Sequence, residues 1–270
     1  MNMRSAVISD IHVDINKDYK VVEAISEYVH DHGIELLLIA GDITNHVKDT
    51  IEVAGELERL SGAKVLYVPG NHDMWDEDKE YNNNDEIYQK FLEDERCLSG
   101  RYFETDKHII IGDVGWYDYG FGNHEKYTDE DFDKMSIGER TFLDFLYNTW
   151  AQKNKEYSDH FVEKLQKLIT EHPEKDIVVM THVLSHEAFL VPESIGDWSY
   201  LNAFLGSKKL KDLCLKNKVR YAICGHVHYR KNVDEEQTTW LCRCLNYHNE
   251  WLGEKDVKIQ VDEAMEILDL

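Results

Sequence analysis

Proline is scarce in this chain, with three in 270 residues, and no Pro- or Gly-rich stretch divides it. One domain over residues 1–270 is therefore expected, not two joined by a linker. Cysteine is sparse too. Cys97, Cys214, Cys224, Cys242 and Cys244 are odd in number and form no Cys-x-x-Cys pair. That speaks against a disulfide framework or a thiolate zinc site and for a reduced, cytoplasmic protein. Cys242 and Cys244, two apart in an apolar run, read as buried thiols on one strand face. Long apolar runs are missing: nothing approaches the ~18 residues of a membrane span, and the start of the chain is too short in apolar residues for a signal-peptide core. No membrane partner is expected. Positive charge is also short. Thirty Lys and Arg face 53 Asp and Glu, a formal net charge of −23. Such a surface repels polyanions, so no nucleic acid polymer is expected as a partner. A small phosphate-bearing ligand stays compatible, because bound metal ions can dominate the local field. Protein partners leave no readable trace.

Short apolar runs alternate with helical patterns in what is present. Ala6–Ile8, Glu35–Ala40 and Lys64–Val68 read as buried strands. Amphipathic helices at about 19–32 and 49–60 lie between them, which implies parallel strands with crossover helices. A helix near 87–94 and strands at 102–104 and 109–111 follow. From about 117 to 157 the chain is acidic and rich in aromatics, and reads as a partly helical insertion. Beyond it the pattern gives a helix near 161–169, a strand at 176–180, a helix at 208–216 and a strand at 220–223. Strands near 239–245 and 257–261 are expected to close the fold.

Five clusters of chemistry-bearing residues fall where strands end: Asp10-x-His12, Gly41-Asp42, Gly70-Asn71-His72-Asp73, Thr181-His182 and Gly225-His226-x-His228. Ligands bind in the crevice at the carboxyl ends of strands in open α/β sheets. Carboxylate, imidazole and amide oxygen together suit divalent Mn, Fe or Zn. The spacing Asp10-x-His12 and His226-x-His228 suggests extended segments with both side chains on one side. The glycines suggest sharp turns just before each ligand.

In order, these blocks are D-x-H, G-D, G-N-H-D, H and G-H-x-H, and they span Asp10 to His228. The set resembles the calcineurin-like metallophosphoesterases. The resemblance implies an α/β fold: a four-layer αββα sandwich of two mixed β-sheets flanked by helices. It also implies a metal-dependent phosphoric ester hydrolase with two divalent metal ions, Mn foremost. One ion would take Asp10, His12 and His228, the other Asn71, His182 and His226, with Asp42 bridging. A metal-bridging hydroxide would attack the phosphorus. His72 would act on the leaving group as general acid or electrostatic stabiliser, with Asp73 in a supporting catalytic role. Close cations repel, so a bridging carboxylate between them makes physical sense.

Departures narrow the activity. The second block lacks the Asp-Arg-Gly continuation of the protein Ser/Thr phosphatases, and the third ends in Asp73, not Glu. This form looks like the cyclic-nucleotide and broad-specificity phosphodiesterase branch, so a small phosphate ester is the expected substrate, a diester before a monoester. A nuclease of the same fold and a non-catalytic metal-binding scaffold are the competing readings. Trp75, Trp116, Tyr117, Tyr119 and Phe121 are candidates for stacking on a flat substrate group or for packing the insertion. Asp14, His186 and His248 read as supporting or surface groups. The insertion carries no expected ligand, so it reads as a cap separable from metal binding.

Overall fold

The computed structural model describes residues 3–270. Its first half runs β1 (Arg4–Ile8), α1 (Val21–Asp31), β2 (Leu36–Ala40), α2 (Val47–Ser61) and β3 (Lys64–Val68). β1, β2 and β3 pair in parallel, Ala6 opposite Leu37 and Leu37 opposite Val65. α3 (Asn84–Glu93), β4 (Tyr102–Glu104) and β5 (His108–Asp113) follow. The inserted segment holds α4 (Asp129–Phe132), the small hairpin β6 (Ser136–Ile137) and β7 (Arg140–Thr141), and α5 (Leu143–Tyr147). The chain continues as α6 (Asn154–Glu171), β8 (Asp176–Thr181), α7 (Trp198–Leu201), α8 (Lys208–Lys216), β9 (Tyr221–Cys224), β10 (Arg230–Glu235), β11 (Thr238–Arg243), α9 (Val257–Ala264) and β12 (Glu266–Asp269).

Two mixed sheets result. One has the order β12-β1-β2-β3, the other β10-β11-β9-β8-β5-β4, with antiparallel pairing confined to edge strands. Strand residues alternate between faces, and the packing divides accordingly. Val7, Leu38, Leu66 and Val68 of the first sheet meet Ile110, Val178, Met180 and Ile223 of the second in one dry layer. The other faces, with Ala6, Ile8, Ile39, Ile109 and Val179, pack under the helices. This is the four-layer arrangement that the motif resemblance implied. All five cysteines are free and buried. Among the described residues, no helix is long and apolar enough to cross a membrane.

The expected strand at 257–261 is a helix. Val-x-Ile-x-Val imitates strand alternation, but the Asp256 side chain caps the helix by accepting from Lys258 N at 2.8 Å. Burial falls on Gln260, Val261 and Ala264 and leaves Ile259 exposed, which is helical spacing. The closing strand is β12 instead. β10 was not foreseen, because RKNVDE is the polar composition of an edge strand.

Candidate metal centre

β1, β2 and β3 are neighbours and end at one edge, where they deliver Asp10 and His12, Asp42, and Asn71 and His72. β8 and β9, adjacent in the facing sheet, deliver His182, and His226 with His228. The two edges are tied where Ser9 bonds the chain after β11: Ser9 N donates to Arg243 O, and Leu245 N to Ser9 O, each at 2.9 Å.

The donor atoms fall into two groups. In the first, Asn71 Oδ1 lies 2.9 Å from His182 Nε2 and 2.8 Å from His226 Nδ1, and these two nitrogens are 3.2 Å apart. Asp42 Oδ2 is 3.3 Å from His182 Nε2. In the second, His228 Nε2 lies 3.3 Å from His12 Nε2 and 3.5 Å from Asp10 Oδ1. His12 Nε2 is 3.8 Å from the same Asp42 Oδ2. One carboxylate oxygen therefore belongs to both groups.

Hydrogen bonds on the far side of His182, His226 and the Asn71 amide fix what faces inward. His182 Nδ1 donates to Ala40 O at 2.9 Å, and His226 Nε2 to Phe204 O at 3.0 Å. The Asn71 amide donates from Nδ2 to Asp144 Oδ1 at 2.9 Å. In neutral rings, His182 Nε2, His226 Nδ1 and Asn71 Oδ1 then point lone pairs at each other. Such a cluster repels itself unless positive charge sits among the three atoms. Neighbouring ligands at right angles on an ion with bonds of about 2.1 Å stand roughly 3.0 Å apart, close to the 2.8–3.2 Å observed. The residues fit a divalent metal.

The electrostatics report the same demand. Burial opposes charge on His182, but the Asp42 carboxylate outweighs it and holds the imidazole well above its usual pKa. His12 and His226 are pushed far down by burial and by the imidazoles around them. His72 falls to about 3, mainly through burial and then through His182 and His228.

The local backbone departs from expectation. Asp10, His12, Asp42, His226 and His228 all have positive φ, between 39° and 73°. The expected extended segments are instead left-handed residues, whose turns make the side chains converge. Each such residue costs of order 1 kcal/mol or more. Only one of the three motif glycines is itself left-handed, Gly41 at φ 83°. Gly70 and Gly225 are required for space: a Cβ would stand 2.1 Å from Asp42 Oδ1 at the first, and 2.3 Å from Asp10 Oδ2 at the second.

His72 lines the crevice, with Nδ1 donating to Asn45 Oδ1 at 2.8 Å and its ring stacked on Trp75 at 3.8 Å between centroids. Asp73 sits behind the crevice. It is fully buried, and it accepts from Ile43 N, Thr44 N, Thr50 Oγ1 and Gly70 N at 2.7–2.9 Å. These bonds tie the loops after β2 and β3 together. Trp116, Tyr117, Tyr119 and Phe121 are at most 4% exposed and pack the insertion. Asp14 accepts from Asn45 N. His186 pairs with Glu235 at 2.9 Å, where Lys211 already supplies the cation.

Two carboxylates escaped the sequence reading. Glu250 accepts from His228 Nδ1 at 2.5 Å. It lies seven residues past the end of β11, beyond the short reach of the strand-end rule that found the other residues. Asp144 comes from α5, where no motif signals it. Its bond with Asn71 joins the insertion to the crevice. The insertion also walls the crevice: Arg140, Phe142 and Leu143 border a cavity of about 500 Å³ opposite Val191, Trp198 and Leu205.

Comparison with known proteins gives a matching family over residues 3–230, described as calcineurin-like phosphoesterase. An uncharacterized protein of Acanthamoeba polyphaga mimivirus is 22% identical over 82% of this chain and 83% of its own length. The phosphopantetheinyl hydrolase of Mycobacterium tuberculosis superposes with a TM-score of 0.74 at 15% identity, covering 93% of this chain and 92% of that one. A dimetal phosphatase from Danio rerio gives 0.53 at 12% identity, covering 89% and 86%. These structures share the fold.

Proposed function

Because the chain belongs to the calcineurin-like phosphoesterase family, metal-dependent hydrolases of phosphate esters, we propose that it cleaves a small phosphate ester, a diester in preference to a monoester, at a centre of two divalent ions. Asp10, His12 and His228 would hold one ion and Asn71, His182 and His226 the other, with Asp42 shared between the two groups. The observation that carries this reading is Asp42 Oδ2 lying in reach of both donor groups. Mn suits the mixed O/N ligand set, and Fe or Zn also fit. When bound, the ions supply Lewis acidity and bring the pKa of water towards neutrality.

The chain's own residues do the rest. His72 Nδ1 keeps its proton because Asn45 Oδ1 only accepts, so Nε2 is the atom that exchanges protons with the leaving oxygen. A neutral ring has nothing to give at Nε2, so the proton it delivers to the leaving oxygen is first taken up from solvent entering the crevice. Trp75 holds the plane of the ring from one side. Asp73 sets the loop geometry.

Size and charge support a small substrate. The cavity of about 500 Å³ has apolar walls in Phe142, Leu143, Val191 and Trp198, and Arg140 is the one Lys or Arg among the described residues that line it. A polymer of phosphates meets a chain of net charge −23. The test is a substrate panel on Mn-reconstituted protein: bis-p-nitrophenyl phosphate, p-nitrophenyl phosphate, cyclic nucleotides, a phosphopantetheinyl conjugate and a long RNA. Two ions per chain and faster turnover of diesters are expected. A single ion at saturating Mn would refute the dinuclear centre, and preferential, salt-sensitive cleavage of the RNA would refute the small-molecule reading.

A further inference from the structure

We propose that Asp144 of the insertion is a positioning residue for the metal centre, selecting which end of the Asn71 carboxamide meets the ion. The inference rests on the reading that Asn71, His182, His226 and Asp42 hold a metal.

A carboxamide has two ends of nearly equal shape, one an acceptor and one a donor. Only the oxygen can ligate a cation; the other orientation aims N–H at it. Nothing in the motif Gly70-Asn71-His72-Asp73 settles the choice, so it has to come from what lies behind the amide. Asp144 Oδ1 lies there, 2.9 Å from Asn71 Nδ2. A carboxylate offers only acceptors, so it admits the amine end and turns Oδ1 inward, onto His182 Nε2 and His226 Nδ1.

Asp144 is itself locked by donors. Trp75 Nε1 and Asn148 Nδ2 donate to Oδ1 at 2.6 and 2.9 Å, and Tyr117 OH to Oδ2 at 2.7 Å. Through Trp75 the same carboxylate supports the indole that stacks on His72. The insertion is further pinned to the ligand loop where Asp76 N donates to Tyr147 O at 3.1 Å.

The burial pattern of α5 argues against a role in folding alone. Leu143, Phe145 and Leu146 are about half exposed, while the Asp among them is 1% exposed. A helix serving only stability would turn its apolar residues in and its carboxylate out, because burying a charge is costly. Here the carboxylate goes in and meets four donors, one of them on a metal ligand.

Metal affinity is the readout, measured by Mn titration of chelator-stripped protein. His12→Ala leaves the Asn71 group as the intact site, and His182→Ala leaves the other. In the His12→Ala protein, Asp144→Ala is expected to weaken Mn binding about 10–100-fold, the usual effect of losing an outer-shell partner. Asp144→Asn still offers an oxygen to Asn71, and the Tyr117 hydroxyl can turn to accept from its amine, so most of the affinity should survive. Adding Asn71→Asp to Asp144→Ala should recover binding, because a carboxylate presents oxygen from either end. In the His182→Ala protein, Asp144→Ala should change nothing. Equal loss at both sites, or no recovery by Asn71→Asp in folded protein, would overturn the proposal. If Asp144→Ala does not fold, the exchange Asn71→Asp with Asp144→Asn takes its place. It should bind at least about tenfold tighter than Asn71→Asp alone, whose new carboxylate abuts Asp144, and no gain would overturn the proposal. Wild-type protein that binds no Mn would instead refute the metal reading beneath it.

Discussion

His228 Nδ1 lies 2.5 Å from Glu250 Oε2, so the ring gives its only neutral-state proton away from the crevice and turns Nε2 to Asp10. Carboxylate–imidazole pairs of this kind orient a ligand and raise its basicity. Glu250→Ala is expected to lower metal affinity of the Asp10, His12 and His228 group by about 10–100-fold. The Asn71 group should be untouched. Two-site Mn titration separates the effects.

Gly225 is predicted to tolerate no side chain. A Cβ there would stand 1.9 Å from Ser9 Oγ and 2.3 Å from Asp10 Oδ2, so Gly225→Ala should displace Asp10 and abolish its site. Gly62, which ends α2 at φ 73° with nothing within 4 Å of a Cβ, is the control. Gly62→Ala should cost only about 1 kcal/mol of backbone strain and leave metal content unchanged. Thermal unfolding and elemental analysis report both.

Metal binding should release protons. The Asp42 carboxylate holds the pKa of His182 up and burial holds that of Asp42 up, so the pair keeps a proton at neutral pH that must leave when an ion takes His182 Nε2 and Asp42 Oδ2. About one proton or more per chain is expected at pH 7.5, with affinity rising as pH rises. Calorimetry in buffers of different ionisation enthalpy measures the number. A heat independent of buffer would contradict the assignment.

Asp42→Asn should disturb both donor groups together, because its Oδ2 lies 3.3 Å from His182 Nε2 and 3.8 Å from His12 Nε2. Loss of the shared charge leaves close cations less compensated. Both ions should be lost in parallel and activity with them. Retention of either at wild-type affinity would show that the carboxylate is not shared.

His72→Ala is expected to keep metal content and lower kcat by about 10²–10⁴-fold on an unactivated diester. A p-nitrophenyl ester, whose leaving group needs little protonation, should lose much less. Equal losses would place His72 away from the leaving oxygen.

The sequence by itself determined the strand-helix rhythm of the first half and the residues gathered at the crevice. Buried parallel strands read as continuous apolar runs, and Asp10, Asp42, Asn71, His182 and His226 stand immediately past them, so periodicity located both. Local pattern was insufficient where two codes overlap. Val257–Val261 alternates like a strand, yet Asp256 caps it as a helix. The tertiary structure alone decided how the ligands are aimed. The left-handed turns at Asp10, His12, Asp42, His226 and His228 exist because packed sheets on both sides hold them. Asp73 stands in a motif and Asp144 in none, yet both are buried aspartates whose partners the chain order does not show. One meets the amides of two loops and the other the Asn71 carboxamide, because hydrogen-bond partners are set by what folding brings near, not by what lies beside a residue in the chain.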